Sequence, residues 1–214
     1  MNDRYVLCAA AVVASLGLSV PTSAADTVPG RHVRGTVSAV SGDKVTIATA
    51  TGAVTVTVGP QTRYAGVVPA NIGDITPGTF IGTANVPGDG AARALEVVVF
   101  PKALSGTGEG DYPWDLPASG GHMSAMTNGT VGAPKMSSMT NATVTHVPSG
   151  SMKTVTLKYK DGTKIVAIPS NVPIVRIVPA SKALIVPGAH VVAFPPLDTA
   201  GTIVVGEKGA VPPM

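Results

Sequence analysis

Val45–Gly78 reads VTIATATGAVTVTVGPQTRYAGVVPANIGDITPG, and 110 residues further on Val155–Gly188 reads VTLKYKDGTKIVAIPSNVPIVRIVPASKALIVPG. Without a gap, ten of the 34 positions agree. They are Val45-Thr46 with Val155-Thr156, Gly52 with Gly162, Val56 with Val166, Val68-Pro69-Ala70 with Val178-Pro179-Ala180, Ile75 with Ile185, and Pro77-Gly78 with Pro187-Gly188. An internal repeat of this kind sets the architecture before any local motif does. Two copies of one small unit account for most of the 214 residues.

The unit is built of strands. Apolar residues alternate with Thr in Val45-Thr46-Ile47 and in Val54-Thr55-Val56-Thr57-Val58, the period of two that marks a half-buried strand. Branched Val and Thr side chains suit a pleated surface. Ser41-Gly42-Asp43, Thr51-Gly52, Gly88-Asp89-Gly90 and Asp161-Gly162 punctuate the runs as turns. The first unit reads as strands over 33–41, 44–50, 53–59, 79–86 and 93–100, and the second as 141–148, 153–160, 163–169, 189–195 and 201–206. Between the third and fourth strands, Gln61 to Gly78 reads as an irregular connection with a short helical turn at Asn71 to Ile75. Five strands with a long connection after the third is the order of an OB-type barrel. The chain is therefore expected to be all-β, with two tandem OB-like five-stranded barrels. Its divisions are a leader over 1–25, a first barrel over 26–101, a Gly/Pro-rich connecting loop over 102–125 and a second barrel over 126–214.

The leader has a basic Arg4, an apolar run from Tyr5 to Val20 and a small-residue end at Ser23-Ala24-Ala25, the pattern of a secretory signal. The run is short of the ~20 residues a spanning helix needs, and later apolar stretches are broken by Pro, Gly or Lys. A periplasmic or secreted protein with no membrane span after signal removal is expected. Cys8, the single cysteine, lies in the leader, so the mature chain has no disulfide, thiolate metal site or cysteine nucleophile.

Gly35-Thr36-Val37, Val45-Thr46-Ile47, Asp74-Ile75-x-Pro77-Gly78 and Ala94-Leu95-Glu96-Val97 together resemble exported bacterial OB-like barrel domains of unknown function. The Gly106–Gly110 loop, Pro113-Trp114-Asp115, Met126-Thr127-Asn128-Gly129 and the Val211-Pro212-Pro213-Met214 terminus resemble a two-barrel subgroup of them. Members of that subgroup often carry the label "metal ABC transporter permease". The resemblance implies a fold and a compartment and no catalytic residues. The hydropathy of this chain opposes the permease label.

The sharpest chemical candidate is a soft-metal site. His122-Met123-x-x-Met126 and Met136-x-x-Met139 set thioethers and an imidazole at close spacing, a donor set suited to Cu(I) or Ag(I). The competing reading makes Met126 and Met139 inward-facing fillers of the core. Glu109, Asp111 and Asp115 offer oxygen ligands without the spacing of a calcium loop, and a solvated turn is the expected reading. Trp114 is expected to anchor that loop against a barrel. Gly106, Gly108 and Gly110 are followed by neither Lys-Ser/Thr nor a helix, which excludes a phosphate loop. No Ser sits in a nucleophile-elbow pattern, and His146 and His190 fall at strand positions matching Ala39 and Phe80. The net charge of +3 is mild. Lys158-Tyr159-Lys160 is the only basic-aromatic run, too little for a nucleic-acid groove. The expected function is an exported, non-enzymatic binding or scaffolding module. Its partner is an unidentified protein or small ligand of the cell envelope. The alternative is a periplasmic copper or silver handler using His122, Met123, Met126, Met136 and Met139.

Overall fold

The structure, a computed structural model, describes residues 32–116, 124–133, 152–195 and 199–213. The expected leader over 1–25 and the expected strand over 141–148 lie outside the described residues. The described chain is all-β. Its strands are β1 (Val33–Ser41), β2 (Lys44–Thr49), β3 (Gly52–Thr57), β4 (Arg63–Pro69), β5 (Phe80–Val86), β6 (Ala92–Val99), β7 (Gly110–Trp114), β8 (Ser124–Val131), β9 (Lys153–Tyr159), β10 (Gly162–Ile168), β11 (Ile174–Pro179), β12 (His190–Phe194) and β13 (Thr202–Gly206). All belong to one sheet that folds back on itself.

The alternation in the sequence sets which side chains turn inward. Val45 and Ile47 are fully buried, while Thr46 turns outward and shares a 3.2 Å hydrogen bond with Thr55 across the β2–β3 hairpin. Short 3-10 turns at Ile72–Asp74 and Lys182–Leu184 sit at equivalent places in the two copies, the first where a helical turn is expected. Each is followed by Pro-Gly, with Gly78 at φ +86° and Gly188 at φ +92°, a backbone region that glycine enters without strain.

A ring of five strands closes. Strand β10 pairs with β9, β9 with β8, β8 with β5, β5 with β6, and β6 returns to β10 through Val166↔Ala92 and Ala167↔Arg93. Two of these strands, β5 and β6, come from the upstream copy, and the other three from the downstream half. Conversely, β1, β2 and β3 of the upstream copy join β12 and β13 of the downstream copy through Val33↔Ala193 to Thr36↔His190. The strands are thus exchanged between the halves, where the sequence reading expects each half to close on its own strands.

The exchange is symmetric to the atom. Gly188 N donates to Val37 O and Val37 N to Ala189 O, both at 2.8 Å; the equivalent Gly78 N donates to Val131 O and Val131 N to Thr79 O, also at 2.8 Å. This equates Gly35-Thr36-Val37 in β1 with Gly129-Thr130-Val131 in β8. Both glycines admit a crossing strand: a Cβ on Gly35 would collide with Ala48 O, and one on Gly129 with Lys158 O.

The cause of the exchange lies in the connection read as irregular. Gln61 to Gly78 contains β4, and its counterpart contains β11. These two strands pair antiparallel, with Val67 opposite Ile177 and the register running symmetrically from Val175↔Pro69 to Pro179↔Ala65. Ile177 is Val67 displaced by the repeat, so a pseudo-two-fold axis passes through this pair. Each strand carries the chain across that axis and delivers the last two strands of its copy to the other side. Parallel pairings of β13 with β4 and of β6 with β11 complete the crossing.

Three apolar clusters follow. One gathers Val33, Val37, Val45, Ile47, Val56 and Val58 with Ile185, Val191, Ala193, Ala200, Ile203 and Val205. A second fills the closed ring, with Ile75, Ile81, Val97 and Val99 against Val131, Val155, Leu157, Val166 and Ile168. The third lies along the axis, where Val67, Ala84, Val98, Met126, Val175 and Val204 meet Trp114, Tyr112 and Phe100.

Candidate functional site

The strand β7 falls in the stretch expected to be a Gly/Pro-rich loop. It pairs with the first half of β8, from Gly110↔Asn128 to Trp114↔Ser124, and so stands beside the mouth of the closed ring. Glycines 106, 108 and 110, all at positive φ, turn the chain into it, and the Asn128 amide donates to Gly108 O at 2.8 Å.

Four polar side chains form a connected line at this mouth. The Asn85 amide donates to Thr83 O at 3.0 Å and to Thr127 Oγ1 at 2.9 Å. The Thr127 hydroxyl donates to Asp111 Oδ1 at 2.7 Å. Lys164 Nζ donates to both carboxylate oxygens of Asp111, at 2.9 and 3.1 Å. Asn85 and Thr127 are buried, whereas Asp111 and Lys164 keep 30% and 24% of their side chains in solvent. The ion pair is therefore reachable from outside while its support is fixed inside. Over it lies an open cleft of about 690 Å³, lined by Asn85, Asp111, Ser124 and Lys164 as polar groups and by Pro87, Pro113 and Ile165 among its apolar walls.

The repeat shows that this line is not needed to build the unit. The register puts Val33 where the ring has Thr127, and the offset of 110 puts Val54 where it has Lys164. Both valines pack into the first apolar cluster. Comparing the copies position by position exposes Thr127 and Lys164 in the sequence: each is a polar residue at a place its twin fills with Val. The offset of 110 sets Asn85 against Pro195, just past the end of β12, so this pair lies outside the matched strands and is the harder one to read.

A second cluster joins the start of β1 to the end of β7. Asp115 accepts from Arg34 at 2.6 Å, from the His32 ring at 3.0 Å and from the His32 backbone N–H at 2.8 Å. Burial opposes ionisation of Asp115, but the hydrogen bonds from Arg34 and His32 outweigh it and hold the carboxyl well below the usual range. The His32 ring lies between Trp114 and Phe194, with centroids 4.4 and 4.5 Å away. Burial pushes the nearby Tyr112 hydroxyl up, opposed by its hydrogen bond from Asn128.

Of the residues expected to hold Cu(I) or Ag(I), Met126 is in the third apolar cluster, 1% exposed and packed from strand to strand. His122, Met123, Met136 and Met139 lie outside the described residues. The three carboxylates weighed for calcium do not converge. Asp111 turns to Lys164 and Asp115 to Arg34, whereas Glu109 is exposed. For Asp111 and Asp115 this replaces the solvated turn with long-range ion pairs. Among the described residues no three His, Cys, Asp or Glu side chains gather in a metal-binding arrangement. His190 lies exposed at the start of β12, within 3.1 Å of the Thr36 hydroxyl. Among the described residues no helix is long and apolar enough to cross a membrane.

Neither protein-family models, curated protein sequences nor solved structures give a match to this chain.

Proposed function

We propose that this chain is an exported, non-enzymatic binding module, periplasmic or secreted, whose ligand site is the cleft at the mouth of the closed ring. One observation carries this reading: the Asn85–Thr127–Asp111–Lys164 line beneath the cleft, set where the twin copy has Val33 and Val54. A buried polar line costs free energy unless every member is satisfied, and well-packed apolar residues at such places are usually as stable or more so. Its presence in one copy alone favours a role beyond folding. Clefts of ~300–1,000 Å³ with a few convergent polar groups on apolar walls are the usual form of small-ligand sites. The His32–Asp115 pair, the nearest thing to an acid–base dyad among the described residues, supports the non-enzymatic reading, because its ring is enclosed between Trp114 and Phe194 and its carboxylate is taken up by three donors.

In finer detail, the reading is of two OB-like units that have exchanged their last two strands, the compartment being that implied by the leader over 1–25. The test compares the natural chain with an Asp111→Leu/Lys164→Met variant in thermal-shift assays against fractionated envelope extract. A fraction that raises the Tm of the natural chain and leaves the variant unmoved is the expected result. Equal shifts in both proteins, or none in either, refute the site.

A further inference from the structure

The ladder between β6 and β10 is short. It covers Val166↔Ala92 and Ala167↔Arg93, whereas β10 begins four residues earlier at Gly162. Over Gly162–Ile165 one edge of β10 pairs with β9, from Gly162↔Tyr159 to Ile165↔Thr156. The other edge has no strand partner among the described residues, and it faces the cleft, whose lining includes Thr163, Lys164 and Ile165. Pro87, Gly88, Gly90 and Ala91, which carry no long side chain, line the same cleft, and their small size leaves it open beside this edge. Ile165 is 47% exposed beside this edge, a large apolar side chain with nothing described covering it.

We infer that the ligand of this cleft is an extended peptide segment that adds as a strand to the outer edge of β10, in line with β6. The inference rests on the reading of the cleft as a binding site and names its ligand class. An open edge offers backbone N–H and C=O groups at the spacing of a ladder, and strand addition satisfies them while pockets read alternate side chains. Four residues of β10 span ~13 Å, room for a segment of about four or five residues. On β10 the side chains of Lys164, Val166 and Ile168 share one face, with Val166 and Ile168 inside the ring. The bound segment then alternates between one side chain toward the Asp111–Lys164 pair and the next toward exposed Thr163 and Ile165. The first of these is expected to be polar and the second apolar. The fold already builds itself by this kind of addition, since β13 adds to β4 and β6 to β11 in parallel.

The experiment pans phage-displayed random heptapeptides on the full mature chain and follows the selected peptides, capped at both ends, by amide hydrogen exchange. The expected outcome is enrichment of alternating polar/apolar sequences, with those amides of Gly162–Ile165 that point away from β9 protected at least tenfold on binding. Affinity should fall at least tenfold in Ala91→Trp, which fills the cleft, and in Ile165→Ser, an exposed change that leaves the core intact. Three results overturn the inference: no enrichment, binding that leaves the outward-pointing β10 amides unprotected, or outward-pointing β10 amides already protected in the free chain, which means a segment of the chain itself covers the edge. If envelope fractions still shift the Tm through Asp111 and Lys164 while no peptide reaches β10, the binding module stands and the peptide ligand falls.

Discussion

Cutting the chain between its halves is the perturbation that the strand exchange makes most informative. Residues 102–109 form an exposed turn that ends before β7, so a protease site placed across Ser105–Thr107 opens the connection without touching a core. If each half closed on its own strands, the cut would release two folded pieces held only by whatever surface they share. The observed pairing predicts otherwise. The first cluster takes six buried residues from each half, and the second takes six from upstream and five from downstream. Each buried Val, Leu or Ile contributes roughly 1.5–3 kcal/mol relative to exposure, so separation uncovers both cores and amounts to unfolding. What the cut removes is the tether. A short connection holds its ends at an effective concentration of the order of millimolar; at about micromolar protein its loss costs a factor of roughly 1,000, or about 4 kcal/mol. Against a typical ~5–15 kcal/mol of stability, the nicked protein should remain assembled. Light scattering on a sizing column should give the mass of the intact chain, while a denaturing gel shows two pieces. Melting should become concentration-dependent, with a Tm about 8–16 °C lower at micromolar protein. Two folded fragments eluting apart in native buffer would refute the exchange.

Two further predictions concern single side chains. Asp115→Asn removes the charge that Arg34 and His32 bind and should cost about 2 kcal/mol at neutral pH. Because the folded pKa of Asp115 is depressed, its contribution is full above the unfolded value near ~4 and is lost as pH falls toward the folded value. Urea titrations from pH 6 down to 2 should therefore show a shallower acid loss in the variant, and parallel curves would argue against the cluster. Met126→Ala should cost about 2–5 kcal/mol and Met126→Leu under ~1.5, as for a packed core position. Chelator competition should find the same Cu(I) affinity in Met126→Leu as in the natural chain, and a tenfold loss would reinstate Met126 as a ligand.

The strands were legible because their period of two is local. Val45, Ile47 and Val56 announce inward positions, and the structure buries all three completely. The partners of the strands were not legible, since pairing is a non-local choice that alternation does not encode. The strand β4 hid behind Gly66, Pro69 and Pro77, residues that read as loop, although Pro69 stands at the end of its strand opposite Val175. The strand β7 hid likewise among Gly106, Gly108, Gly110 and Pro113. Trp114 was read as an anchor and does pack along the axis. Asp111 was noticed for the wrong reason, as one of three neighbouring carboxylates; its partner Lys164 is 53 residues away and looks like an ordinary strand-face charge until set against Val54.

The same comparison explains why one mouth of the molecule differs from the other. A pseudo-two-fold arrangement begins with two equivalent ends, and every strand position then exists twice. The positions that hold the exchange together have kept their character in both copies: Gly35 and Gly129 at the crossings, Gly78 and Gly188 at the turns, Val67 and Ile177 on the axis. Val33 and Val54 lie away from those constraints, at the rim of a core. Their counterparts Thr127 and Lys164 could become polar without loosening the crossing, provided each gained a partner. The strand β7 supplies Asp111 as that partner for both. Asp111 thus ties β7 to both rim positions: it accepts from the Thr127 hydroxyl, which itself accepts from Asn85, and it pairs with Lys164 at the edge of solvent. Valine at the twin positions packs into the first apolar cluster, so the frame closes at one rim without the polar line that occupies the other.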